Sequence, residues 1–368
     1  MAAEPPPLRV LGISASSLIS GAERVLLRCA RLGRRSDYGR WTIACPPGPF
    51  AEAIEAEAID HVPLPDLKLG TGHKAWAGAR LAGNNIRAAV ALRRLAPQFD
   101  VVVVNSVMAL PTVRLGIPSA TPVVWLVHDV ITRPDLRRIV QVSKSAVDLA
   151  IGVSNAAAAL PGQLGLETAV VRNGVHFPVA PCRPQTEPPI VGLNAMLTSW
   201  KGQKEFLLAM QLVDAPFEIE LLGGTFPKDA DYERMLRELA DQPPLQGRVR
   251  FLGHLDDPIE AMRRWSVAVS ASIEPEAGPL AVLEAMSIGL PVVVTNHGGA
   301  PEIAGDVGLL AEPGDACSMA AAVERLLRCP EEREERGRQG REIIETRHGL
   351  EEGTDRFAAL LRQVVDAG

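Results

Sequence analysis

No run of about 18 apolar residues, the length that carries a helix across a bilayer, occurs in these 368 residues, although 47% of them are apolar. A helical membrane span is thereby excluded. The opening residues, MAAEPPPLRVLGIS, lack the basic start and long apolar core of a secretory signal. Cysteine is scarce. The five (Cys29, Cys45, Cys182, Cys317 and Cys329) are scattered and odd in number, and none forms a CxxC pair. That excludes a disulfide framework and a cysteine zinc site, and it points to a reducing cytoplasm. Aromatics make up 4%, basic residues are dispersed, and no aromatic run interleaves with them, so nucleic acid is not an expected partner. No G-x-G-x-x-G opens the first helix, where GISASSLISGAE stands instead, which removes the nicotinamide dehydrogenase signature. Asp229-Ala230-Asp231 is an Asp-x-Asp by spacing, but it begins a polar helix and supplies first-turn charge. No metal site is expected.

What is present is a repeated alternation. Short apolar strands (LRVLGIS, WTIACPP, FDVVVVNS, TPVVWLVHDV, AVDLAIGVSN) alternate with amphipathic helices, the first of them RVLLRCARLG with Gly33 as its stop signal. Apolar strands of this kind indicate a parallel sheet covered on both faces. Residues 178–189, PVAPCRPQTEPP, are proline-dense and break the pattern. The alternation then restarts with PIVGLNA, FEIELLGG, RVRFLGH and WSVAVSAS. The fold class is α/β, with two Rossmann-like α/β/α domains: 1–178, a linker 179–189, 190–349, and a last helix at 350–368. Charge differs between the halves. Residues 1–178 carry 19 Lys+Arg against 13 Asp+Glu, whereas 179–368 carry 19 against 31. The first half is thus suited to an anionic partner, such as a membrane surface or an acidic substrate. The basic segment RPDLRRIVQVSK, 133–144, is either a solvated helix face or part of that contact.

The stretch EPEAGPLAVLEAMSIGLPVVV, residues 274–294, carries chemistry. Glu284 lies in a run that otherwise reads as buried helix and strand, where an unpaired carboxylate costs several kcal/mol. Gly278 and Pro279 mark a turn, and Pro279 suits the first turn of a helix from Leu280 to Ile288. The N–H groups of Leu280 and Ala281 then sit at a helix start, which favours phosphate. Glu276 before the helix and Glu284 inside it flank that anion site, each able to accept hydrogen bonds from vicinal hydroxyls. A nucleotide sugar has this layout: ribose, phosphates, sugar.

Two glutamates with seven residues between them, followed by AMSIGLPVVVTNHGGAPEIAGDVGLLAEPGD, resemble the donor-site signature of retaining glycosyltransferases of family four, which have the GT-B fold. SGAERVLL, the HD at 128–129, GVSN, RNGV, WKGQ and FLGHLDD resemble further family motifs. The resemblance implies two domains facing across a cleft, with the last helix returning to the first domain. It implies that Glu284 binds the ribose, Glu276 holds the transferred sugar, and Lys201 neutralises the diphosphate leaving group. Gly21 would admit the phosphates to the backbone, and His128 would stand beside the sugar. The backbone at His254 and Leu255 would meet the base, and Gly278, Leu280 and Ala281 would line the phosphate site. The implied activity is a retaining, metal-independent hexosyl transfer, without cofactor, from a nucleoside-diphosphate sugar to a hydroxyl acceptor, with UDP more frequent in the family than GDP. It would proceed in the cytoplasm or at the inner face of the membrane. Some positions depart from the pattern. Ala195 and Met196 stand where Gly-Arg is usual, Ser20 replaces a glycine, His176 an aspartate, and Gly278-Pro279 a Phe-Gly. The missing arginine admits an alternative: a catalytically impaired paralogue that binds nucleotide sugar or serves as a partner subunit.

Overall fold

A computed structural model describes residues 6–35, 38–67, 74–176, 180–182 and 187–368, with side chains between 74 and 95 described from Arg80 onward and that of Arg35 left out. The linker expected at 179–189 lies partly outside these residues. The chain forms two compact units: Met1–Arg172 with Glu352–Gly368, and Asn173–Glu351.

The first unit holds seven strands: β1 (Leu8–Ile13), β2 (Gly39–Cys45), β3 (Asp60–Pro63), β4 (Val101–Val104), β5 (Val123–Val127), β6 (Leu149–Gly152) and β7 (Thr168–Val170). All pair in parallel in the order β3-β2-β1-β4-β5-β6-β7. Alternation along β4 sends Val101 and Val103 to one face, where they pack with Leu26, Phe50, Ile54, Phe357 and Leu361. The last helix, Leu350–Ala367, therefore supplies part of the first unit's core, and its Phe357 ring stacks on Trp41 with centroids 6.3 Å apart. Ala88, Leu92, Val113 and Val140, buried residues of the helices Lys74–Leu95, Leu110–Gly116 and Pro134–Ser143, cover the other face.

The first helix runs Gly21–Arg35, through Gly33. Gly33 is there because Trp41 Nε1 lies 2.5 Å from where its Cβ would be; it is a close-approach glycine, and it does not stop the helix.

The second unit contains β8 (Ile190–Asn194), β9 (Glu218–Leu222), β10 (Val249–Gly253), β11 (Val267–Ser270), β12 (Val292–Thr295) and β13 (Leu309–Ala311), parallel in the order β10-β9-β8-β11-β12-β13. One face buries Phe206, Leu207, Leu236, Val323 and Leu326 from three helices. The other buries Met262, Leu283, Met286, Ile303 and Ile344. The charged segment after β13 forms two helices, Ala316–Arg328 and Pro330–Arg347, because Pro330 starts a new first turn. In both sheets the loops at the carboxyl ends of the central strands carry the polar residues described next, where open α/β sheets bind ligands.

Candidate functional site

Lys201 ends a short 3-10 turn, Ser199–Lys201, that follows β8. Gly202 behind it has φ +71, and a Cβ there would lie 1.9 Å from the carbonyl oxygen of Ala271. Only glycine fits both the left-handed backbone and the close approach. The N–H of Ile273 donates to Trp200 O at 2.9 Å, so the loops after β8 and β11 are fastened together. That is why Lys201 reaches Glu276, 75 residues away, and forms an ion pair with it. Their side chains are 16% and 13% exposed, so the pair is well shielded. Lys201 Nζ also stands 4.3 Å from the centre of the Trp200 ring.

Glu276 is held from several sides. Ser272 Oγ donates to its other carboxylate oxygen. His297 Nε2–H donates to Ser272 O at 2.9 Å. The Glu276 carbonyl accepts from Gly299 N–H at 2.7 Å. Gly298, at φ +65, passes so close that a Cβ would meet that carbonyl at 2.4 Å. The Gly-Gly of NHGG is thus the backing of Glu276. Nδ1 of His297 is buried with no hydrogen-bond partner among the described residues.

The helix Leu280–Ser287 starts where expected, with Pro279 as its N-cap at φ −64, ψ 112. Its extended ψ keeps it outside the first turn. The N–H of Val282 makes the first bond, to Pro279 O at 3.2 Å, which leaves the N–H groups of Leu280 and Ala281 ahead of the helical ladder. The carbonyl of Gly278 accepts from Asn173 Nδ2 at 3.0 Å. Glu284, half-buried one turn in, has the amide of Asn194 at the end of β8 3.5 Å from its Oε2. A neutral amide thus stands beside the carboxylate.

Met196, in the position where the family pattern has arginine, uses its carbonyl to accept from Gln203 Nε2 at 2.7 Å. Two candidate replacement cations are engaged elsewhere. Arg263 donates to Ala180 O at 2.7 Å and pairs with Glu260 at 3.2 Å. Arg264 lies 3.2 Å and Arg250 3.0 Å from Glu220 Oε1, a fully buried carboxylate that also accepts from Trp265 Nε1 at 2.7 Å. His254 and Leu255 follow Gly253, which ends β10 at φ +69; both are exposed.

In the first unit, His128 follows β5. Its Nε2 lies 2.9 Å from Asn105 Oδ1, to which the neutral ring donates. Burial pushes its pKa down to about 4. Asn105 itself is 3% exposed, and its Nδ2 has no partner among the described residues. Gly21 opens the first helix, and nothing lies within 4 Å of where its Cβ would be. Glu23, buried, accepts from Ser14 Oγ and Ser20 N–H, both at 3.1 Å, and from Ser20 Oγ. The contact to Ser20 N–H is one half of a capping box, and it gives Ser20 a reason to replace glycine.

Of the residues singled out in the sequence, Lys201 and Glu276 are in contact, and Glu284 and the start at Leu280 belong to one helix. Ser272, His297, Asn194 and Asn105 were not foreseen. Ser272 lies four residues before Glu276 but belongs to no motif that marks it, and the partners of His297, Asn194 and Asn105 are 25, 90 and 23 residues away. Among the described residues no three His, Cys, Asp or Glu cluster as metal ligands, and no helix is long and apolar enough to cross a membrane.

Two parallel α/β units of this kind define the GT-B class. Residues 182–343 match the family model of glycosyl transferases group 1. Glycogen synthase of Mycobacterium tuberculosis (strain ATCC 25618 / H37Rv) is 28% identical over 213 residues, 56% of this chain and 51% of that one. The 2-deoxystreptamine glucosyltransferase of Streptomyces kanamyceticus is 33% identical over 173 residues, 45% and 43% of the two chains. The chain spans about half the length of the curated relatives it matches. The fold likeness covers nearly everything: the structure of Anabaena Alr3699/HepE in complex with UDP and glucose superposes with a TM-score of 0.82 over 97% of this chain and 100% of that one, at 21% identity.

Proposed function

We propose that this protein transfers a sugar, with retention and without a metal, from a nucleoside-diphosphate donor to a hydroxyl acceptor. The observation that carries this is the shielded Lys201–Glu276 pair in the same unit as Glu284 and the Leu280 helix start. Lys201 and the N–H groups of Leu280 and Ala281 meet the diphosphate, Glu284 the ribose hydroxyls, Glu276 the sugar hydroxyls, and the backbone at His254 and Leu255 the base. Neutral His128 and the open backbone at Gly21 are the first unit's candidates for contact with the donor. The bond from the anomeric carbon to the phosphate oxygen breaks, and its electron pair leaves with the phosphate. The acceptor oxygen bonds to the same face of the carbon, and its proton passes to the departing phosphate oxygen. The chain's part is positioning and stabilisation of charge. UDP is favoured as the nucleotide. The fold neighbour carries UDP and glucose, whereas one partial relative, a Corynebacterium glutamicum mannosyltransferase, is GDP-mannose-dependent.

A thermal-shift screen of UDP, GDP and their sugars tests donor binding, since a ligand at about 100 times its Kd adds about 2.7 kcal/mol of apparent stability. Transfer assayed with and without EDTA tests the metal-free mechanism; loss with rescue by manganese or magnesium refutes it. Met196, where the family has arginine, favours a second reading, a donor-binding chain without turnover. Donor binding with neither hydrolysis nor transfer would establish that one.

A further inference from the structure

We propose that the outer face of three neighbouring helices in the first unit docks on an anionic lipid membrane. Ile86 (60% exposed) and Val90 (49%) lie one turn apart on the helix Lys74–Leu95. Leu115 (60%) is on Leu110–Gly116, and Val142 (54%) on Pro134–Ser143. Contacts between the helices make these four one surface. Thr112 Oγ1 donates to Asn85 Oδ1 at 2.5 Å. A Cβ on Gly116 would lie 2.6 Å from Ala89 O, so the first two helices run in close contact beside Ile86 and Leu115. Arg114 donates to the carbonyl of Val142 and fastens the third helix to the second.

Charge says what this face meets. Residues 67–128 contain seven Lys+Arg and one acidic residue, Asp100, which is paired with Arg9 at 2.6 Å. The one carboxylate on the third helix, Asp135, is taken by Arg133. Arg87 and Arg94 flank Val90 at helical spacing, and Arg138 lies one turn before Val142. Arg87, Arg94 and Arg138 are exposed, and none forms an ion pair with a described residue. Apolar side chains set among unpaired guanidiniums suit the boundary between acyl chains and anionic headgroups. A second copy of the chain is a poor occupant, because the same face on both partners would bring arginine against arginine.

Vesicle co-sedimentation of the full chain tests this without any donor, so its result is separate from that of the transfer reading. Binding is expected to mixed phosphatidylcholine–phosphatidylglycerol vesicles, with little to phosphatidylcholine alone, and it should fall as salt rises. Ile86→Ser with Leu115→Ser, and separately Arg87→Gln with Arg94→Gln, should each lower the apparent affinity by about tenfold. An unchanged melting temperature would confirm that each pair stays folded. No binding to anionic vesicles, equal binding to neutral ones, or wild-type binding by both folded variants overturns the proposal. So does light scattering that finds a wild-type dimer broken by these variants, which would assign the face to a second copy.

Discussion

Lys201 and Glu276 hold each other in an ion pair across two loops, with Ser272 on the far oxygen of the carboxylate. The lysine proposed for the diphosphate is thus neutralised by the glutamate proposed for the sugar. A donor diphosphate has to draw the ammonium from the carboxylate, and Ser272 keeps Glu276 in place while that happens.

Lys201→Ala is expected to cut turnover about 100-fold, the scale for losing an electrostatic contact made chiefly in the transition state. Met196→Arg should raise turnover or partly restore Lys201→Ala, since Arg263 and Arg264 are engaged by other partners. Steady-state rates of the two single variants and the double variant decide this. A mild Lys201→Ala with an inert Met196→Arg would withdraw Lys201 as the main phosphate ligand.

Glu284→Gln keeps the shape and removes the charge. Nucleotide affinity measured by calorimetry should fall by about 1–3 kcal/mol, as for a hydrogen bond to a charged group. Unchanged affinity in a folded variant would remove the ribose role.

Gly202→Ala combines a left-handed backbone with a Cβ that would stand 1.9 Å from Ala271 O. Either the loop after β8 shifts or the end of β11 does, and both move Lys201 relative to Glu276. The expected outcome is a loss of about 1–3 kcal/mol of stability, seen in denaturant titration, together with lowered turnover. Wild-type values of both would show that the turn has another way to relax.

His128 gives a pH signature. Burial lowers its folded pKa to about 4, below the ordinary 6.5. Between those values the unfolded chain takes up a proton that the folded chain does not. The stabilisation is therefore complete above pH 6.5, declines as pH falls through the window, and is gone below about 4. Allowing for the partial exposure of the ring, its size is about 1–3 kcal/mol. His128→Gln should flatten that part of the stability profile, and an unaltered profile would show the ring to be freely protonated in the folded state.

The strands were legible because parallel sheets bury whole apolar runs, as in Val101–Val104. The helix carrying Glu284 was legible because Gly278 and Pro279 precede an apolar run. Local rules failed where a residue serves a distant one. Gly33 looks like a stop, but it makes room for Trp41. Ser272 bonds Glu276 from only four residues away but belongs to no motif that marks it, and His297 reaches Ser272 from the turn beyond β12. Asn194 meets Glu284 across 90 residues, a distance that no helical or strand period spans.

The first unit is discontinuous in sequence, closed by Glu352–Gly368, whereas the second is the unbroken segment Asn173–Glu351. A ribosome releases the chain from its N-terminus. The second unit therefore has all its residues before Phe357 and Leu361 emerge to fill the first unit's core. The half made first is completed last, and until then its sheet waits with an apolar face uncovered, a task for chaperones that the later half does not share.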